Sequence, residues 1–332
     1  MPMNTTIATP AESLWNQRHT IHELMPKFRQ LAKIVNRPTD LELYQWIQLA
    51  SVALEYQPQL IIELGRGIGN STACFLEVCN RLGGRDNCQL LSLCLSTDWS
   101  QRTADRIRKS YAPSDYWFAP AIIEQTNILE YDIEPHLQGI SRCLVFWDAH
   151  GFEVAECFLG KWLPMLEKCS HRILMHDISD TRFEGCDTDY GNSRIWHGES
   201  AANEAMFLGH IYTRVAQAIS VLDFTTRNSI PFHSASESFS TEIGDSPEKL
   251  AEVGSLFGED AARMDAHWFW FSLEEANGPI CYPEKPVAAS TTRVPWWIHD
   301  ENEIEKRQVR RTPSAIKPKH KKRFEEFVLS SS

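Results

Sequence analysis

The stretch Leu60–Thr72, "LIIELGRGIGNST", carries the decision about the fold. Five residues rich in branched apolar side chains end at the acid Glu63 and Leu64, as a short buried strand does. Gly65, Gly67 and Gly69 then alternate with other residues, and Ser71 and Thr72 open a helical pattern that continues through "ACFLEVCNRL". A glycine turn between a strand and a helix lets the backbone take positive φ and come close to a ligand. The spacing is not the dinucleotide G-x-G-x-x-G, because position 70 is Asn. Glu63 would repel a pyrophosphate but would attract a cationic ligand. A tight turn holding no ligand is the alternative reading.

Outward from this stretch the strand–helix rhythm repeats. "QLLSLCL" predicts a second strand and Ala104–Lys109 a helix; "PAIIEQT" is a third strand, and "CLVFWD" a fourth before the helical "GFEVAECFLGKWLPMLEK". "HRILMHD" is a fifth strand, and "ISVLDFTT" and "AHWFWFSL" are read as two closing strands. Such alternation implies an α/β fold, a doubly wound and mostly parallel sheet of seven strands. Upstream, residues 1–15 read as frayed. Apolar spacing from His19 to Tyr56, broken at "NRPTD", predicts a helical pair. The expected organisation is a helical extension over 1–55, a main domain over 56–295 and a basic tail over 296–332, in which Lys and Arg crowd among prolines.

Bulk properties narrow the function. The 332 residues are 42% hydrophobic and 23% charged, with a formal net charge of −11. That charge argues against a body that grips nucleic-acid phosphates and leaves only the basic tail for such a partner. No apolar run is long enough to cross a bilayer, and "MPMNTTIATPAESLWNQRH" has no secretion-signal pattern. The nine cysteines form no C-x-x-C pair, which suits reduced core thiols in a cytoplasmic protein. The oligomeric state is left open.

"IIELGRGIGNST" resembles the first motif of class I S-adenosylmethionine-dependent methyltransferases, which have a Rossmann-like fold. The resemblance implies that Glu63, Gly65, Gly67, Gly69, Ser71 and Thr72 line the methionine end of S-adenosyl-L-methionine. It places the ribose contact after the second strand, where Cys94 stands for the usual acid and Asp98 is the nearby carboxylate. It places the adenine contact near Thr126 and Asn127.

Two polar clusters follow the fourth and fifth strands, "FWDAHGFE" and "LMHDISD". Asp148 and Asp177 are expected side by side there, with His150 and His176 in reach. Crowded carboxylates call for a proton or a cation; cofactor binding, helix capping or a hydrogen-bonded core histidine are the plainer alternatives. "VFWDAHGFE…KWLPMLEKCSHRILMHDIS" resembles metal-dependent small-molecule O-methyltransferases and cephalosporin-hydroxylase-like proteins. That resemblance implies a divalent ion, Mg²⁺ or Mn²⁺, held by Asp148, His176 and Asp177. His150 then replaces a missing acid as the base for a small-molecule hydroxyl, on a sugar, diol or secondary metabolite. The loop Ile178–Ser200 is expected to add Trp196 or His197. The competing expectations are a binder that has lost catalysis and a nucleic-acid methyltransferase docking through the tail. Trp268, Phe269 and Trp270 are expected in the core.

Overall fold

The computed structural model describes residues 7–37, 41–149, 151–176 and 212–283. By contact density the chain divides into two units. The first is built on the sheet and comprises 1–149, 165–176 and 230–276; the second comprises 150–164, 177–229 and 277–332.

In the first unit, strands β1 (Leu60–Leu64), β2 (Gln89–Cys94), β3 (Ala121–Gln125), β4 (Arg142–Trp147) and β5 (Ser170–His176) run parallel. β6 (His233–Ser234) and β7 (Trp268–Phe271) close the sheet, and β7 lies antiparallel to β5. The spatial order β3-β2-β1-β4-β5-β7-β6 is the expected seven-stranded, mostly parallel Rossmann-like sheet. The chain winds outward from β1 to β3 and then returns to lay β4 beside β1. The crevice beyond β1 and β4 is therefore the topological switch point, where open α/β sheets bind ligands.

Helices α1 (Pro10–Val35), α2 (Leu43–Tyr56), α3 (Asn70–Arg81) and α4 (Ala104–Ser110) share one hydrophobic core with Ile61, Leu90, Leu144, Phe146 and Leu174. The alternate strand residues Ile62, Leu91, Val145 and Met175 are buried too, so neither face of these strands is open to solvent. The N-terminal helices are thus part of the same core as the sheet.

Two local expectations are corrected. The segment 1–15 is not frayed throughout, because α1 begins at Pro10. Thr9 Oγ1 accepts the Glu12 N–H at 3.1 Å and the Glu12 carboxylate accepts the Thr9 N–H at 2.9 Å, a reciprocal capping box with proline at the first helical position. The second correction concerns "ISVLDFTT". It is not a strand but the end of α7 (Tyr212–Arg227), which follows α5 (Phe152–Cys157) and α6 (Leu163–Leu166) in the chain. Gln217, Ala218, Val221, Phe224 and Thr225 are buried, a helical spacing that overrides the strand preference of β-branched residues. The Thr225 hydroxyl donates back to the Val221 carbonyl at 2.9 Å, which satisfies it inside the helix. The sixth strand is instead the two-residue β6, whose His233 stacks on Trp270 of β7 at 4.1 Å between ring centroids. Trp268, Phe269 and Trp270 are all buried, as expected.

Within the second unit, the Gly151 N–H donates to Gln217 Oε1 at 3.1 Å. Asn228 exchanges hydrogen bonds with the backbone of Cys281. Short helices α8 (Ala235–Phe239) and α9 (Pro247–Phe257) belong to the first unit, before β7. Among the described residues no helix is long and apolar enough to cross a membrane.

Candidate functional site

The three glycines after β1 do three different jobs. Gly65 has φ +93°, and a Cβ there would lie 2.6 Å from the Asp148 carbonyl carbon and from the Ala149 nitrogen. Only glycine lets the ends of β1 and β4 meet this closely. Gly69, the N-cap of α3 with φ +99°, is covered by the Trp99 ring, and a Cβ would fall 2.1 Å from Trp99 Cε3. Gly67 differs: its φ is +52°, and none of the described residues lies within 4 Å of where a Cβ would be. The left-handed turn is thus closed by the protein on both sides and open in the middle.

Glu63, Ser71 and Thr72 were expected on a cofactor, and the structure turns their polar atoms towards one another. The Ser71 hydroxyl donates to Glu63 Oε1 at 2.5 Å and the Thr72 hydroxyl to Oε2 at 2.7 Å, and Ser92 donates to the same Oε2. Glu63 is 0% exposed. A buried carboxylate needs such donors, and these lock α3 onto β1 and β2. Arg66, which the sequence reading passed over, completes the arrangement. Its guanidinium donates to the Ser92 carbonyl at 2.8 Å and hydroxyl at 2.9 Å, so Ser92 links a buried cation to the buried acid. An arginine between two glycines, close to an acid that ends a buried strand, is the signal that could have found it.

Beyond β2, Cys94 Sγ accepts the Ser96 N–H at 3.3 Å. Asp98 accepts the Ser96 hydroxyl at 3.0 Å and lies 3.4 Å from Arg102, with its side chain 42% exposed. Asn127, after β3, folds back so that its Oδ1 accepts the Leu129 N–H at 3.1 Å. Two leucines missed in the sequence follow these strands, Leu95 directly after β2 and Leu129 in the turn after β3: Leu95 is 71% exposed and Leu129 37%.

Asp148 and His176 do come together. β4 and β5 pair in parallel with Trp147 opposite Met175, so the next step sets Asp148 beside His176 on the same face. His176 Nδ1 lies 3.0 Å from Asp148 Oδ1, and Nε2 lies 3.1 Å from Gln45 Nε2 of α2. Asp177 and His150, the other expected members, lie outside the described residues, as do Trp196, His197 and the basic tail. Among the described residues no group of three His, Cys, Asp or Glu could hold a metal ion. Both nitrogens of His176 face protein partners, so the imidazole offers no lone pair outward and does not fit a ligand role.

No protein-family model matches the chain, and no curated protein does. Among solved structures it is similar to the O-methyltransferase TomG from Streptomyces achromogenes, crystallised with SAM. The identity is 15%, over 63% of this chain and 81% of that one, at a TM-score of 0.37. It is similar to a methyltransferase from Geobacter sulfurreducens at 15% identity, over 46% and 69%, with a TM-score of 0.31. It is also similar to a cyclopropane-fatty-acyl-phospholipid synthase-like protein from Lactobacillus casei at 13% identity, over 77% and 97%, with a TM-score of 0.35. Overlaps this low say nothing of individual residues, and the ground for a function is the geometry of the glycine turn itself.

Proposed function

We propose that the chain is an S-adenosyl-L-methionine-dependent methyltransferase acting on a hydroxyl of a small molecule. The observation that carries the reading is Gly67, a left-handed residue that is open among the described residues at the switch point of the sheet, between two glycines that the protein itself fills. S-adenosyl-L-methionine supplies an electrophilic methyl group on a sulfonium. The positive end of α3 suits the carboxylate of its methionine part. Leu95 and Leu129 offer apolar surface to a purine, and Asn127 shapes the turn that presents Leu129. Asp98, half-exposed and steadied by Ser96, is the carboxylate assigned to the ribose hydroxyls in place of Cys94. Glu63, Ser71 and Thr72 hold the turn in shape rather than the ligand, through the hydrogen bonds that bury them.

Transfer to an oxygen requires that the acceptor hydroxyl lose its proton in line with the donor. We assign that proton to His150, from its place two residues past Asp148 in the chain.

The test is calorimetric titration of the whole chain with S-adenosylhomocysteine and S-adenosylmethionine. One-to-one binding that is lost in Gly67→Val is expected. A wild-type chain that binds neither would overturn the reading. The second reading, binding without turnover, is favoured by the thiol of Cys94 at the position where an acid is expected, since a thiol is a weak partner for ribose hydroxyls. Methyl transfer to any small hydroxyl acceptor that disappears in His150→Ala would reject it.

A further inference from the structure

The amide of Gln45 has a defined direction. As the third residue of α2 it closes a capping box, and its Oε1 accepts the Glu42 N–H at 2.8 Å. Its Nε2, which can only donate, therefore faces His176 Nε2 at 3.1 Å. An N–H on that imidazole nitrogen would set donor against donor, so Nε2 must accept. A neutral imidazole that accepts at Nε2 carries its proton at Nδ1. Nδ1 lies 3.0 Å from Asp148 Oδ1. Gln45 is 2% exposed, the His176 side chain 3% and the Asp148 side chain 13%, so water does not readily replace any of these bonds.

We propose that His176 is a positioning residue, locked by Gln45 as its Nδ1–H tautomer to orient the Asp148 carboxylate, and that it is not a metal ligand. Donors point one way along the chain, from Gln45 to His176 to Asp148. A metal at His176 would need the lone pair that Gln45 occupies, or would have to strip the proton that Asp148 accepts. Asp148 directly follows β4, where its backbone packs on Gly65, so the relay fixes a carboxylate at the rim of the glycine turn. The arrangement reaches from the N-terminal helices into the crevice, which gives α2 a role in the site beyond packing. It does not depend on the identity of the methyl donor.

The experiment is histidine-selective ¹⁵N NMR of the full chain, with the His176 resonances identified by their loss in His176→Asn. The expected spectrum shows a protonated Nδ1 and an unprotonated Nε2, unmoved by saturating zinc chloride. Gln45→Leu removes the donor while keeping the shape. It is expected to shift the ratio of the two tautomers by about tenfold towards Nε2–H, the order of effect of one lost buried hydrogen bond. Gln45→Glu, which turns the donor into an acceptor, is expected to place a proton on Nε2 and serves if the leucine variant does not fold. A zinc-induced shift of the His176 nitrogens, an Nε2–H form in the wild type, or tautomers indifferent to both substitutions would overturn the proposal.

Discussion

Replacing each glycine of the turn by alanine separates what the fold needs from what a ligand needs. At Gly67 the added methyl meets none of the described residues within 4 Å, so among them the cost is that of the left-handed backbone at φ +52°, about 1 kcal/mol. At Gly69 the same backbone penalty is joined by a methyl 2.1 Å from Trp99 Cε3, and overpacking of this kind adds about 1–3 kcal/mol. At Gly65 the methyl meets backbone of Asp148 and Ala149 at 2.6 Å, which yields less than a side chain. The loss there should sit at or above the top of the range for Gly69→Ala, about 4 kcal/mol when both costs are added. Urea denaturation should therefore rank the variants Gly67→Ala, Gly69→Ala, Gly65→Ala in order of increasing damage. Calorimetry with S-adenosylhomocysteine should give a different order. Gly67→Ala, though nearly as stable as the wild type, should lose at least about tenfold in affinity, which corresponds to roughly 1.4 kcal/mol. A Gly67→Ala protein that binds with undiminished affinity would refute the placement of the ligand over Gly67. A Gly69→Ala protein as stable as Gly67→Ala would refute the packing argument.

Three further outcomes are expected on the same physical grounds. His171 is 1% exposed; its Nδ1 lies 3.0 Å from the Cys169 carbonyl, its Nε2 accepts the Leu273 N–H at 3.2 Å, and burial lowers its pKa below the ordinary 6.5. Above pH 6.5 its contribution is complete; as pH falls below 6.5 the unfolded chain takes up a proton that the folded chain resists, so stability drops by up to about 1.4 kcal/mol per pH unit until the folded pKa is reached. His171→Gln should flatten that slope in urea melts between pH 7 and about pH 5, and an unaltered slope would count against the assignment. Glu77, 1% exposed, accepts from Lys27 at 2.5 Å, Tyr111 at 2.8 Å and Trp117 at 2.9 Å. Glu77→Leu strands the tyrosine and tryptophan donors and should cost about 2–4 kcal/mol by thermal or urea unfolding, whereas a loss below the error of the melt would show that water replaces the carboxylate. Thr9→Ala should remove about 1 kcal/mol and speed amide exchange in the first turn of α1; unchanged exchange would mean that the turn is held by tertiary contacts alone.

The sequence alone determined the order and type of the parallel elements. Short apolar runs alternating with helical spacing have few arrangements available, and a glycine turn after β1 marks the switch point before any coordinates are known. It also contained the caps that start α1 and α2, in "TPAE" and "ELYQ", although the first lies in a stretch that reads as a frayed end. The segment "ISVLDFTT" misleads because β-branched residues suit a strand locally, while the face they bury is decided by what surrounds them.

Only the tertiary structure decided which polar groups meet. Glu63 is only an acid before a glycine turn in the sequence, and the fold alone shows that Ser71, Thr72 and Ser92 donate to it. Gly65, Gly67 and Gly69 are indistinguishable as letters, and only the neighbours brought from β4 and from Trp99 show which of them is open. His176 and Asp148 can be paired from their places at neighbouring strand ends, but its other partner, Gln45, lies 131 positions away in the chain. Local propensity and periodicity fix elements because they act over one or two turns. Donor–acceptor matching in a dry interior acts through space, so it becomes readable only when the chain is folded.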